Sequence, residues 1–86
     1  MPEISRFYGI VIKMYFGDHP PPHFHAEYSG DVAVIDINTL AVITGKLPPR
    51  AMGLVAEWSM LHQAELQELW SRASNLESIG KIDPLP

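Results

Sequence analysis

The chain has 86 residues, of which 47% are hydrophobic and 19% are charged, and its formal net charge is −4 with neutral histidines. These values are typical of one small folded domain and exclude a disordered chain. The absence of cysteine excludes disulfides, thiolate zinc sites and cysteine nucleophiles.

The sequence also argues against membrane insertion, secretion and general nucleic-acid binding. No apolar run approaches the roughly 20 residues that span a bilayer. The N-terminal segment MPEISRF lacks the basic start and the apolar stretch of a signal peptide. The six basic residues are scattered, whereas nucleic-acid binding requires concentrated positive charge. We therefore expect a cytoplasmic protein without membrane contact, for which nucleic acid is a disfavoured partner.

The first half of the chain predicts four antiparallel strands. The first runs from Tyr8 to Phe16, which is rich in β-branched and aromatic residues. Three consecutive prolines then form a rigid connector that cannot be a ladder strand. The segments HFHAEY, DVAVIDI and LAVITGKL predict the other strands, joined by turns at Ser29–Asp31 and at Asn38–Thr39.

One long helix is predicted for the second half of the chain, from about Pro49 to about Ala73. Apolar residues recur there at three- and four-residue spacing and form a broad stripe that faces the sheet. The stripe consists of Ala51, Leu54, Val55, Trp58, Leu61, Leu69 and Ala73. Beyond it, Ile79, Ile82 and Leu85 would let the proline-rich tail lie back along a sheet edge.

These elements predict an α+β fold in which a small antiparallel sheet of about four strands packs against one long helix in the C-terminal half. The chain is then a single domain, residues 1–86, with a ββββα core at about residues 4–73. One helix covers one face only. The other face carries Val11, Tyr15 and either Val32 and Val34 or Ala33 and Ile35, and a homo-oligomer or a small protein partner is expected to cover it.

The segment DHPPPHFHAEY contains three of the four histidines and is the main candidate site. Strand alternation places His23, His25 and Glu27 on one face. Asp18 and His19, held by the prolines, could complete a ligand set, so His19, His23 and His25 are candidate ligands for a divalent transition metal. The alternatives are a functional loop without metal and a purely structural loop.

Two secondary candidates come from the helix. His62 and Glu65 are three residues apart within the apolar stripe, so they predict either an acid–base pair near the loop or a satisfied polar pair at the rim of the core. Arg50 lies in the first helical turn, where it could form an anion pocket with the helix amides. Alternatively, Arg50 pairs with a nearby acid such as Asp36.

The motifs DHPPPHFHA, AVIDI, LPPRA and EW…LH…EL…W, taken together, resemble the small prokaryotic family known as domain of unknown function 4160. The resemblance extends from the start of the chain to the segment IDPL. It implies no established activity. It implies membership of small two-gene modules that are suspected toxin–antitoxin components, with the partner encoded by a neighbouring gene.

Two functional hypotheses follow from the sequence. In the first, the chain is an interaction protein that pairs with itself or with a small partner, as a component of a toxin–antitoxin-like module. In the second, it is a metal-dependent enzyme that uses the histidine segment. The reaction class stays undefined, because the carboxylates are isolated and no spacing suggests a nucleophile–base pair.

Overall fold

The computed structural model describes residues 3–17 and 19–86, so the candidate Asp18 lies outside the described residues. Across those two ranges the chain forms five strands and two helices. These elements are β1 Glu3–Phe7, β2 Ile10–Lys13, β3 His23–Tyr28, β4 Asp31–Asp36, β5 Val42–Gly45, α1 Pro49–Leu61 and α2 Gln63–Ser74. The predicted α+β class is confirmed, whereas the predicted four strands and single long helix need correction.

The strand predicted from Tyr8 to Phe16 is in fact the second half of a hairpin. Tyr8 and Gly9 have φ angles of 50° and 81°, the pair of positive values that two-residue hairpin turns favour. Strand β1 precedes this turn and pairs with β2, and its register shifts between Glu3 and Ser5. Because that bulge buries both Ile4 and Ser5, β1 lacks the alternation that identifies a strand in a sequence.

The five strands form an antiparallel meander in the order β1-β2-β3-β4-β5. Phe24 pairs with Ile35 and Ala26 pairs with Ala33, and all four side chains are buried beneath the helices. Val32 and Val34 therefore lie on the opposite face, which we call the open face. This distribution decides between the two sets of β4 residues that the sequence allowed.

The predicted single helix is divided at His62, whose φ and ψ angles are −122° and 22°. Its backbone amide donates to the carbonyls of both Trp58 and Ser59. Ser59 is buried and its hydroxyl donates to the Val55 carbonyl at 2.6 Å, a contact that bends helices. Among the described residues, neither helix has the length and hydropathy that a membrane span requires.

The predicted apolar stripe is correct at its centre and wrong at Leu61, which is 63% exposed. Burial of Val55, Trp58 and Ser59 shifts the centre of the stripe to the Ser59 side of Trp58. Leu61 consequently falls on the opposite, solvent side of the helix.

Trp58 is the centre of the core. Its ring contacts those of Phe7 and Phe24, with centroid distances of 5.4 and 5.9 Å. Its Nε1–H donates to the Asp83 carbonyl at 2.8 Å, which connects the core to the C-terminal segment.

The C-terminal segment lies along β1, as the sequence predicts. The Ile82 amide donates to the Ile4 carbonyl at 2.8 Å. Ile79, Ile82 and Leu85 are all buried in the core. One edge of the sheet is therefore covered by the chain itself.

Candidate functional site

The histidine segment enters the sheet as β3, and alternation along that strand divides its side chains between two environments. Phe24 and Ala26 are fully buried in the core, whereas His23, His25 and Glu27 are half-buried on the open face. The strand therefore presents the two imidazoles side by side, with ring centroids 5.3 Å apart.

Two further aromatic rings extend this pair into a row, which we call the aromatic row: Tyr15, His25, His23 and Trp70. Tyr15 meets His25 edge-on with a centroid distance of 4.7 Å. Trp70, from α2, contacts His23 with a centroid distance of 5.1 Å. His23 is the first residue of β3, so Trp70 reaches it at the end of the sheet.

The carbonyl of Pro21 fixes the position of one proton on the His23 ring. His23 Nδ1 lies 2.7 Å from the Pro21 carbonyl oxygen, and a carbonyl only accepts, so Nδ1 carries the proton. In a neutral ring this tautomer places the lone pair on Nε2, the nitrogen that could bind a metal ion. The Pro20–Pro21 peptide bond is cis.

Glu27, the predicted carboxylate ligand, is engaged by a lysine. Its Oε2 lies 3.0 Å from Lys13 Nζ, across the β2–β3 pair on the open face. The hydrogen bond that Lys13 donates to Glu27 raises the pKa of the Lys13 ammonium above its ordinary value. Glu27 therefore lies on the same face as the two histidines and is paired with Lys13.

The predicted metal set is brought together only in part. His23 and His25 are adjacent, and His19 lies on an exposed part of the loop. Within residues 3–17 and 19–86, no three histidine, aspartate or glutamate side chains are grouped so that they could hold a metal ion. Asp18, the remaining predicted ligand, lies outside the described residues.

His62 and Glu65 form the contact that their spacing allows. His62 Nδ1 donates to Glu65 Oε1 at 2.6 Å, and the imidazole packs against the Trp58 ring. The His62 side chain is 15% exposed and that of Glu65 is 53% exposed. The pair thus lies at the rim of the core, where it joins α1 to the first turn of α2.

Arg50 is exposed in the first turn of α1 and makes no side-chain hydrogen bond or ion pair to the described part of the chain. The expected pairing with Asp36 is wrong, because Asp36 Oδ1 accepts hydrogen bonds from the Asn38 and Thr39 amides. The carboxylate therefore stabilises the turn before β5.

Sequence reasoning missed the part of Trp70 in the aromatic row, because no local pattern relates a residue of α2 to the start of β3. It also missed Tyr8 and Tyr28, which line a pocket beside Arg50. Gly9 was the only local turn signal near Tyr8, and Tyr-Gly is not one of the pairs that typically indicate a two-residue hairpin turn.

The chain is a small α+β protein. Its five-stranded meander is covered on one face by a kinked helical pair, and two histidines lie at the start of its central strand. The sequence matches the family described as Domain of unknown function (DUF4160) over residues 9–71. That match covers most of the chain, which therefore belongs to the DUF4160 family. No curated protein and no solved structure matches the chain.

Proposed function

We propose that the protein is an interaction module that pairs with a second protein chain through the exposed edge strand β5. One observation carries this proposal: all four residues of β5 are exposed, whereas the opposite edge, β1, lies beneath the C-terminal segment. An edge strand presents unpaired amides and carbonyls, which are a template for a further strand.

The side chains of β5 suit a protein interface. Val42 and Ile43 are 44% and 47% exposed. Thr44 pairs with Val34 and Val42 pairs with Ile35, so Ile43 is the extra residue of a bulge. Lysine and proline, which commonly protect edge strands against pairing, are absent from the VITG sequence of β5.

A second copy of the same chain is a partner that the uncharged strand β5 can accept. The protein has a net charge of −4, so two copies repel each other through most of their surfaces. Strand β5 carries no charged residue and can meet itself without opposing like charges. A chain of this size also gains stability from association, because it buries a modest fraction of its own surface.

The open face, which the sequence predicts to be covered by a partner, would adjoin such an interface. Val32 and Val34 lie there beside β5, while the Lys13–Glu27 ion pair and the two histidines occupy the centre of the face. A protein encoded beside this one, as in a toxin–antitoxin-like module, is the alternative occupant of the same edge and would contribute a strand in the same way.

Sedimentation velocity of the wild-type protein and an Ile43→Lys variant tests the proposal. We expect a concentration-dependent dimer for the wild type and a shift to monomer for the variant, because lysine on an edge strand opposes pairing. Ile43 is exposed, so the variant keeps its core. Leu61→Lys is the matched control, since Leu61 is an exposed aliphatic residue on α1, outside β5.

Co-expression with the neighbouring gene product extends the same test to the alternative occupant. A complex that Ile43→Lys disrupts and Leu61→Lys preserves would assign β5 to that partner. A wild-type protein that stays monomeric at high concentration and retains no neighbouring gene product would contradict the proposed function.

The histidine pair supports a second candidate, a metal-dependent activity that uses His19, His23 and His25. Since metal–nitrogen bonds are about 2.1 Å long, two imidazoles on one ion have centroids at most roughly 6 Å apart. The 5.3 Å between His23 and His25 meets that limit. Metal analysis of untagged protein beside a His23→Ala/His25→Ala double mutant tests it, and equal metal in both, or none in either, would contradict it.

A further inference from the structure

A pocket of about 400 Å³ lies at the end of the sheet opposite the start of β3. It opens between the β1–β2 turn, the end of β3 and the first turn of α1. Its walls include Tyr8, Ile10, Tyr28, Pro48, Arg50 and Leu54. The volume falls within the roughly 300–1,000 Å³ of pockets that hold small organic ligands. None of these residues belongs to β5, so the pocket is separate from the proposed interface.

The two tyrosines that line this pocket both contact other parts of the chain. The Tyr28 ring lies directly against Gly9, where an added Cβ would be 3.4 Å from Cε1. The Tyr8 hydroxyl donates to the Pro86 carbonyl at 2.7 Å, which fixes a ring that is otherwise exposed. A ligand that enters between such walls does not have to immobilise them.

The backbone conformation of Tyr8 exposes its ring at this pocket. Its φ of 50° lies in the left-handed region, which favours glycine, asparagine or aspartate at this turn position. A tyrosine accepts that conformation at an energetic cost. The turn thereby holds a large aromatic side chain at the edge of the pocket.

Arg50 gives the pocket an uncompensated positive charge. It makes no ion pair or side-chain hydrogen bond to the described residues, and the first turn of α1 contains no acidic residue. An arginine in the first turn opposes the helix dipole. A bound anion would therefore offset the unfavourable position of the guanidinium beside the positive end of the helix.

The composition of the walls defines the class of anion. A single guanidinium matches one negative charge, and its planar fork binds a carboxylate through two parallel hydrogen bonds. A dianion would carry excess charge into a protein whose net charge is already −4. The aromatic and aliphatic walls favour a flat apolar body. We propose that this pocket binds a small aromatic carboxylate, with the carboxylate on Arg50 and the ring between Tyr8 and Tyr28.

Titration of ¹⁵N-labelled protein with benzoate, benzamide and phenyl phosphate tests the proposal. We expect saturable shifts of the Gly9, Arg50 and Ala51 amides with benzoate, with a dissociation constant of about 1 mM or lower. Benzamide, which is neutral and of the same shape, should bind about tenfold more weakly because it lacks the charge-assisted hydrogen bonds. Phenyl phosphate should bind no more tightly than benzoate.

The variants Arg50→Gln, Arg50→Lys and Arg72→Gln locate the charge that is responsible. Arg50→Gln should lower benzoate affinity to that of benzamide, and Arg50→Lys should retain part of it. Arg72 pairs with Glu68 on α2, outside the pocket, so Arg72→Gln should bind benzoate like the wild type. Equal binding of benzoate and benzamide, unchanged affinity in Arg50→Gln, or no saturable shifts up to about 10 mM benzoate would overturn the proposal. Tighter binding of phenyl phosphate would overturn the assignment to a single negative charge.

Discussion

At the β1 edge of the sheet, the chain supplies its own cover, whereas at β5 the strand meets solvent along its whole length. The cover consists of a backbone hydrogen bond from Ile82 to Ile4 and of three buried aliphatic side chains: Ile79, Ile82 and Leu85. Strand β5 has instead two exposed aliphatic residues, Val42 and Ile43. The backbone amides and carbonyls of an edge strand need hydrogen-bond partners. The chain itself supplies such a partner at β1, whereas at β5 a second chain could supply them.

The largest expected effect comes from the residue that supports the covered edge. Trp58→Ala should destabilise the fold by about 3–5 kcal/mol, because it removes a fully buried indole from the centre of the core. The substitution also removes the hydrogen bond to Asp83, so the C-terminal segment should loosen. Urea denaturation measures the loss, with Trp70→Phe, at a half-buried site, as the control. A loss below about 1 kcal/mol would mean that Trp58 does not anchor the core.

A second substitution disturbs the attachment of β5 itself. Gly45 has a φ of 75°, and an added Cβ would collide with the Val32 carbonyl oxygen across the β4–β5 pair. Gly45→Ala should therefore destabilise by about 2–3 kcal/mol and weaken dimer formation, since it displaces the strand that pairs.

Gly30→Ala is the matched control for that prediction. Gly30 has a similar φ of 89°, but an added Cβ would meet no atom within 4 Å. Gly30→Ala should therefore lower the free energy of unfolding only by the conformational penalty of about 1 kcal/mol, and dimer formation should stay intact. Equal losses in the two variants would show that the collision with β4 is unimportant.

A third substitution uncovers the β1 edge. Ile82→Ala should destabilise by about 2 kcal/mol, the lower end for a buried isoleucine, because a terminal segment can detach without global unfolding. The exposed β1 edge should then create a second route of self-association, visible as species larger than a dimer. Ser78→Ala, at an exposed position of the same segment, should do neither. Unchanged association in Ile82→Ala would mean that the segment does not protect this edge.

The smallest effect concerns an ion pair on β1. Arg6 donates to Glu3 at 2.8 Å, and this hydrogen bond holds the pKa of the Glu3 carboxyl below its ordinary value of 4.5. Because the folded state binds the proton less tightly than the unfolded chain, the pair contributes stability above pH 4.5 and loses it as the pH falls through the lowered pKa.

Melting temperatures of the wild type and Glu3→Gln, measured from about pH 3 to pH 7, test the sign of that effect. The wild type should have the advantage at neutral pH and lose it in acid. Glu57→Gln, which changes an exposed carboxylate on α1, serves as the control. An advantage that persists at the acidic end would contradict the assigned direction.

The sequence predicted those parts of the fold that depend on local patterns. Alternation along HFHAEY and DVAVIDI placed β3 and β4, and the apolar residues of the tail predicted its return to the sheet. The bulge in β1 and the interruption at His62 were missed. Both depend on packing rather than on local propensity, since Ile4 is an extra buried residue and Ser59 is satisfied by its own helix.

The candidate site was predictable to the same extent. Strand alternation placed His23 and His25 together, as predicted, and the spacing of His62 and Glu65 predicted their contact. Sequence spacing could not predict that Trp70 closes the aromatic row or that Tyr8, Tyr28 and Arg50 share a pocket, because these residues come from elements that are distant in the chain.

The most direct test of the account is amide hydrogen exchange measured in β1 and β5 at low and high protein concentration. We predict that protection of the Val42, Ile43 and Thr44 amides rises with concentration, because β5 pairs with a second chain. Protection in β1 should not change, because the C-terminal segment already covers that edge. Protection of β5 that is independent of concentration, or that rises equally in β1, would contradict the assignment of β5 as the interaction edge.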